Sequence, residues 1–299
     1  MTLASSLKLL TSHLVVALVA LVGIGGATRV MEAGLACPDW PLCYGVLLPG
    51  RQMNAQVFLE WFHRLDAFLV GLALLALLLV SLWRRQQLPR WWPWLTLVAV
   101  GLVAVQGALG ALTVTRLLAA PMVTAHLATA LLLVVLISGL DQSLVASTPR
   151  TPRPVWWVLL PLLPTLLVLS QCVLGGAMAS QWAVDHCFSA GRQCEWIFWH
   201  RQLAVPAGLS VVALATISFF SPLADRLFRA MAFAAAALVS VQVTLGVLTL
   251  HAQLRMPALT IAHQLVAALL VALLGSLCGR SLAAGIRRSS VPFFEVSCG

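Results

Sequence analysis

The sequence predicts an all-α integral membrane protein, with eight transmembrane helices forming two pseudo-symmetric four-helix bundles, and three observations carry that prediction. Of its 299 residues 61% are hydrophobic and 9% charged, where a soluble domain carries about 25% charged residues. The apolar residues run continuously over lengths close to the ~20 that a helix needs to cross a bilayer, without the period-two alternation of a barrel. The third observation is duplication: motifs of the first half recur, in order, in the second.

Spans are expected at about 9–28, 58–82, 93–114, 119–140, 155–179, 197–220, 228–250 and 257–279. The first follows Lys8 and ends in small residues, as a signal peptide would. It is kept as a span because Ile24-Gly25-Gly26-Ala27 has a partner in span five, Leu174-Gly175-Gly176-Ala177. Span two opens on Glu60-Trp61-Phe62-His63-Arg64, and span six on Glu195-Trp196-Ile197-Phe198-Trp199-His200-Arg201. Gln106 and Leu109-Gly110-Ala111-Leu112-Thr113 of span three return in span seven as Gln242 and Leu245-Gly246-Val247-Leu248-Thr249. Pro121, Thr124 and His126 of span four return in span eight as Pro257, Thr260 and His263, each proline in a first turn, where a helix tolerates it. Two halves, 1–145 and 146–299, each with an even number of crossings, share one orientation and a pseudo-symmetry axis along the membrane normal.

Charge reports topology rather than a polyanionic partner. The net charge is +9, but 17 of the 18 basic residues are arginines scattered between spans, which excludes a nucleic-acid-binding stripe. Eleven basic residues fall in segments on the side of the termini, and Arg29, Arg51, Arg116, Arg192 and Arg255 in the other loops. The positive-inside rule then places both termini in the cytoplasm. Cys37 and Cys43, and Cys187 and Cys194, lie in outer loops on the oxidising side, so a disulfide is expected in each. Trp83, Trp91, Trp92, Trp94, Trp156 and Trp157 read as an inner aromatic belt.

Ionisable side chains inside a span are costly and point to function. His63 and His126 are 63 positions apart, as are His200 and His263, and all four lie near the outer ends of even-numbered spans. Each pair is therefore set to grip one planar metal cofactor from two sides, as in bis-histidine heme ligation. The competing reading is four hydrogen-bonded packing histidines. Zinc is disfavoured, because neither pair has a third ligand at suitable spacing. Glu60 precedes His63 by three positions and shares its helical face, whereas Glu195 precedes His200 by five and does not. A carboxylate beside a cofactor carries protons or stabilises positive charge. Alternatively Glu60 forms an ion pair with Arg64 or Arg116. Arg64 and Arg201 are placed either to snorkel to the interface or to pair with heme propionates. His13, His186 and His251 stand outside the repeat and read as ordinary polar residues.

With these residues in view, the chain resembles the heme A synthase family over nearly its whole length. The resemblance rests on Cys37-Pro38-Asp39-Trp40-Pro41-Leu42-Cys43, Glu60-Trp61-Phe62-His63-Arg64, Leu109-Gly110-Ala111-Leu112-Thr113-Val114 and the four spaced histidines. It implies an enzyme of a bacterial-type cell membrane that oxidises a ring methyl of heme O to the formyl group of heme A, for assembly of terminal oxidases. It further implies that His63 and His126 flank the substrate heme O, that Glu60 is the essential carboxylate, and that His200 and His263 ligate a heme b. Cys37–Cys43 and Cys187–Cys194 match cysteine pairs of some members. Heme O synthase and an electron donor are the implied partners, and homo-oligomerisation is left open. The alternative is a diheme b-type cytochrome passing electrons between quinol and a partner, which gives Glu60 and the first outer loop no role.

Overall fold

The structure is a computed structural model that describes residues 3–144, 153–178 and 195–286. Its helices are α1 (Leu3–Val30), α2 (Ala55–Trp83), α3 (Trp92–Thr115), α4 (Ala120–Ser143), α5 (Val155–Leu159), α6 (Leu162–Met178), α7 (Glu195–Phe220), α8 (Arg226–His251) and α9 (Pro257–Ile286). With α5 and α6 taken together as one crossing, the described residues contain eight spans long and apolar enough to cross a membrane, as the sequence predicts.

Local chemistry explains the boundaries. Asn54 caps α2, its side-chain oxygen accepting from the amides of Gln56 and Val57, both at 3.0 Å, and Asp225 caps α8 by accepting from Phe228 at 2.8 Å. Prolines open α3 and α4 within the first turn. Span five is expected to be continuous but is broken between α5 and α6. Pro161 has no amide to donate, and its carbonyl is taken by the amide and hydroxyl of Thr165, at 3.2 and 2.7 Å. The turn after α3 and the turn after α8 are the same structure 136 positions apart. Leu117 and Leu118 in one, and Gln253 and Leu254 in the other, all have φ between 49° and 61°.

The first four helices close a ring, α1 packing on α2 and α4, α2 on α3, and α3 on α4. In the second half α6 packs on α7, α7 on α8, α8 on α9, and α9 back on α6. The rings meet chiefly through α4 and α9, with α1 resting on α9 and α4 on α6. Glycines make this seam. A Cβ on Gly279 would stand 2.1 Å from the carbonyl oxygen of Gly139, and one on Gly275 would stand 2.8 Å from Cα of Val135. Gly275-x-x-x-Gly279 is thus the small-residue spacing that lets membrane helices approach to backbone contact. Ile137, Leu140, Leu274 and Leu277 are fully buried around it.

Below the seam, at the end away from the 31–54 loop, polar groups tie the helices together. Asp141 on α4 is 6% exposed and accepts from Lys8 Nζ, Thr11 Oγ1 (2.9 Å) and Ser12 Oγ (2.8 Å), all on α1. Arg280 of α9 reaches Asp225 at 2.8 Å and Gln142 of α4 at 3.4 Å. Replacing Asp141 with alanine removes the acceptor that Lys8, Thr11, Ser12 and Gln142 share, and is expected to cost about 1–3 kcal/mol, measured as a lower unfolding midpoint in detergent. The aromatic belt needs one correction. Trp83, Trp94 and Trp156 are exposed, but Trp92 and Trp157 are fully buried, and Trp92 donates to Ser81 Oγ at 3.1 Å within the core.

Candidate functional site

Each of the four spaced histidines leans on a glycine of the preceding span. A Cβ built on Gly25 would meet Cε1 of His63 at 3.0 Å, and one on Gly110 would meet Cε1 of His126 at 3.4 Å. The corresponding distances are 2.9 Å from Gly175 to His200 and 3.1 Å from Gly246 to His263. A side chain at Gly175 would force His200 to shift, one at Gly25 or Gly246 would press its ring, and one at Gly110 would just touch His126. Among the described residues the glycine pairs that repeat between spans one and five therefore serve as cradles.

The cradles also expose helix backbone. A helical side chain covers the turn on its N-terminal side, so glycine leaves open the carbonyl four residues earlier. Main-chain groups of Gln106, Gln171 and Gln242 stand beside His126, His200 and His263, and each glutamine precedes its cradle glycine by four. The glutamine side chains join in: Gln242 Nε2 lies 3.2 Å from His263 Nε2, and Gln171 Nε2 donates to the carbonyl of His200 at 2.6 Å. In span one the equivalent position is Leu21. Sequence reasoning noted Gln106 and Gln242 without a role and passed over Gln171. The signal that finds it is Gln-x-x-x-Gly, three times, in spans three, five and seven.

The rings of His63 and His126 face each other with centroids 6.5 Å apart and planes inclined at 70°. His200 and His263 lie near enough to act on each other electrostatically. Nδ1 of all four is buried with no hydrogen bond of full geometry. No group of three or more His, Cys, Asp or Glu side chains converges among the described residues. The 6.5 Å separation suits two imidazoles on opposite sides of one metal, bonded at about 2 Å each. The donor set thus fits a metal that takes two axial imidazoles from the protein and the rest from a macrocycle.

The second glycine of each pair crosses to the other half. Gly26 abuts Gln264, the neighbour of His263, with a Cβ distance of 2.7 Å, and Gly176 abuts Leu127, the neighbour of His126, at 2.8 Å. Gln264 donates to the carbonyl of Val22 at 3.0 Å and accepts from Arg29 at 3.4 Å. Each histidine pair therefore rests on both halves of the chain.

Glu60 is 4% exposed. Its Oε1 accepts from Arg64 Nη2 at 2.5 Å and its Oε2 from the amide of Cys37 at 2.7 Å. Arg64 also donates to the carbonyls of Asp39 (2.6 Å), Leu42 (2.5 Å) and Cys37 (3.4 Å). Of the two readings of Glu60, the ion pair with Arg64 is thus present, and the pair grips the backbone of the first loop. That loop is closed by the Cys37–Cys43 disulfide, Cα to Cα 4.8 Å, as expected. Glu195 and Arg201 are exposed at the start of α7, so they do not form a counterpart of this buried pair among the described residues. Cys187, Cys194 and His186 lie outside the described residues. His13 is exposed and bonds back to the carbonyl of Leu9 at 2.7 Å, and His251 is exposed at the end of α8.

Fold and site together define a class: a polytopic helical membrane protein that sets a facing histidine pair, and a second pair at the same sequence spacing, near one end of its spans. The family model described as cytochrome oxidase assembly protein, COX15-CtaA, matches residues 8–274, and the chain belongs to that family. It is 28% identical to a heme A synthase of Shewanella oneidensis over 276 residues, 75% of this chain and 81% of the relative. It is also 28% identical to a heme A synthase of Sphingopyxis alaskensis over 312 residues, 84% and 85% of the two chains. A stretch of 62 residues, 21% of this chain, is 40% identical to part of a protoheme IX farnesyltransferase of Haloarcula marismortui, of which it covers 13%.

Proposed function

We propose that this protein is a heme A synthase, oxidising a ring methyl of heme O to the formyl group of heme A. The observation that carries the reading is the facing His63–His126 pair, each ring on its own glycine, in a chain of this family. In this reading the first half, 1–145, holds the substrate between His63 and His126, and the second half, 146–299, holds a heme b between His200 and His263. The two halves are related by pseudo-symmetry, for which the equivalent turns at 117–118 and 253–254 and the recurring cradles are the support.

The work assigned to the chain's own residues is positioning and electrostatics. Glycine cradles hold each imidazole ring in place, and glutamine main-chain groups lie beside three of them. Glu60, held by Arg64 and the Cys37 amide, is a fixed negative charge suited to stabilising positive charge that develops on the substrate. Arg64 is the strut that joins this carboxylate to the loop, and Arg201 is left as the cation free to meet a propionate. A heme b, when bound, supplies one-electron chemistry tuned by its axial ligands and burial. Since methyl to formyl is an oxidation, the protein needs a redox partner, and a farnesyl-transferring heme O synthase is the natural source of its substrate. Both termini are assigned to the cytoplasm and the cysteine loops to the outside.

Expression with a source of heme O, followed by extraction and identification of hemes by mass, tests the reading. Heme A is expected. Bound heme b without heme A would return the chain to the diheme cytochrome reading, and no heme at all would overturn both.

A further inference from the structure

The first loop has two faces. Its inner face is filled: Cys37 and Cys43 pack on Val57, with Ala36, Met53 and Trp61 around them. Its tip is rigid, with Asp39 accepting from the amides of Tyr44 (2.6 Å) and Gly45 (2.7 Å), and a two-way backbone bridge joining Cys43 to Val46. Yet the tip turns apolar side chains outward. Leu47 is 80% exposed and Leu48 62%, and Trp40, Tyr44 and Val46 are exposed beside them. A disulfide-closed, fully hydrogen-bonded tip has no reason to present such a cluster to water.

Its position says what covers it. Trp61 Nε1 donates to the carbonyl of Leu47 at 2.6 Å, so the tip folds back onto the second turn of α2. At about 1.5 Å per residue, the 29 residues of α2 exceed a hydrocarbon core of about 30 Å. The helix therefore projects beyond the core, and Trp61, in its second turn, is a residue suited to the interface. Phe58 stacks on Phe62 at 5.6 Å, and both are exposed at the head of a stripe that continues through Leu65, Phe68, Leu69 and Leu72. Tip and stripe are continuous, and the exposed Arg51 beyond the tip offers a cation to lipid phosphates.

The geometry points to residues 44–48 as a lipid-binding anchor that inserts between headgroups and acyl chains of the outer leaflet beside α2. Because the same loop supplies the Cys37 amide to Glu60 and three carbonyls to Arg64, the anchor ties the Glu60–Arg64 pair to the bilayer surface. The interaction stands whether or not the protein makes heme A.

The test is photocrosslinking in nanodiscs of phosphatidylcholine carrying a diazirine near the glycerol end of one acyl chain, with adducts mapped by mass spectrometry. Adducts are expected on residues 44–48 as well as on the Phe58–Leu72 stripe. The double variant Leu47→Glu, Leu48→Glu is expected to lose at least about tenfold of the loop adducts while keeping those on α2. Adducts on α2 with none on 44–48 would overturn the anchor. So would unchanged loop labelling in the double variant.

Discussion

Glu60→Gln is expected to reduce formation of heme A by about 10²–10³-fold, with the protein still folded. Glutamine keeps an oxygen to accept the Cys37 amide but removes the charge. Glu60→Ala confounds the two effects, because it leaves Arg64 and the Cys37 amide unpaired in a buried place. The measurement is the ratio of heme A to heme O in membranes, beside the thermal midpoint of the purified variant. Full conversion by Glu60→Gln would reduce the carboxylate to a strut for the disulfide loop. Loss of conversion at an unchanged midpoint identifies its charge as part of the chemistry.

Gly279→Val carries the second large effect, and it concerns folding. A Cβ there meets the Gly139 carbonyl oxygen at 2.1 Å, a backbone atom that no rotamer change can move. The seam between α4 and α9 must open, and a cost above about 4 kcal/mol places the variant among the severe core lesions. Little monodisperse protein is expected in size-exclusion chromatography. Gly101→Ala is the control: it has nothing within 4 Å, and its helix gains up to about 1 kcal/mol from alanine. Equal yields from the two variants would mean that the rings do not meet at this seam.

How far the chain could be read in advance differs by feature, for physical reasons. The spans were legible because hydropathy and length alone determine them, and the observed helices run a few residues past most expected ends. The histidine pairs were legible because duplication preserved their spacing. The break in span five is written in Pro161 and Pro164, but a long apolar run hides it, and Thr165 meets the Pro161 carbonyl there. Buried Trp92 and Trp157 were read as interface residues because tryptophan near a span end serves either purpose until its neighbours are known.

Glu60 shows the limit most clearly. Three-residue spacing to His63 gave its helical face, yet its partners are an arginine one turn on and an amide 23 positions back in an irregular loop. No periodicity predicts where a disulfide loop lays its backbone. The glycines carried more than was taken from them: Gly275-x-x-x-Gly279 marked the seam, and Gln-x-x-x-Gly marked three of the four cradles. Their meaning depends on a facing helix, which only the packing supplies.

The proposed function divides the labour between the halves, with substrate held by His63 and His126 and heme b retained by His200 and His263. The measurement that tests it most directly is heme content, identified by mass, in two double-alanine variants purified from cells that make heme O. Without His63 and His126 the protein is expected to keep heme b and form no heme A; without His200 and His263 it is expected to lose heme b. Heme A still made by the first variant, or heme b lost from it and kept by the second, would contradict the assignment.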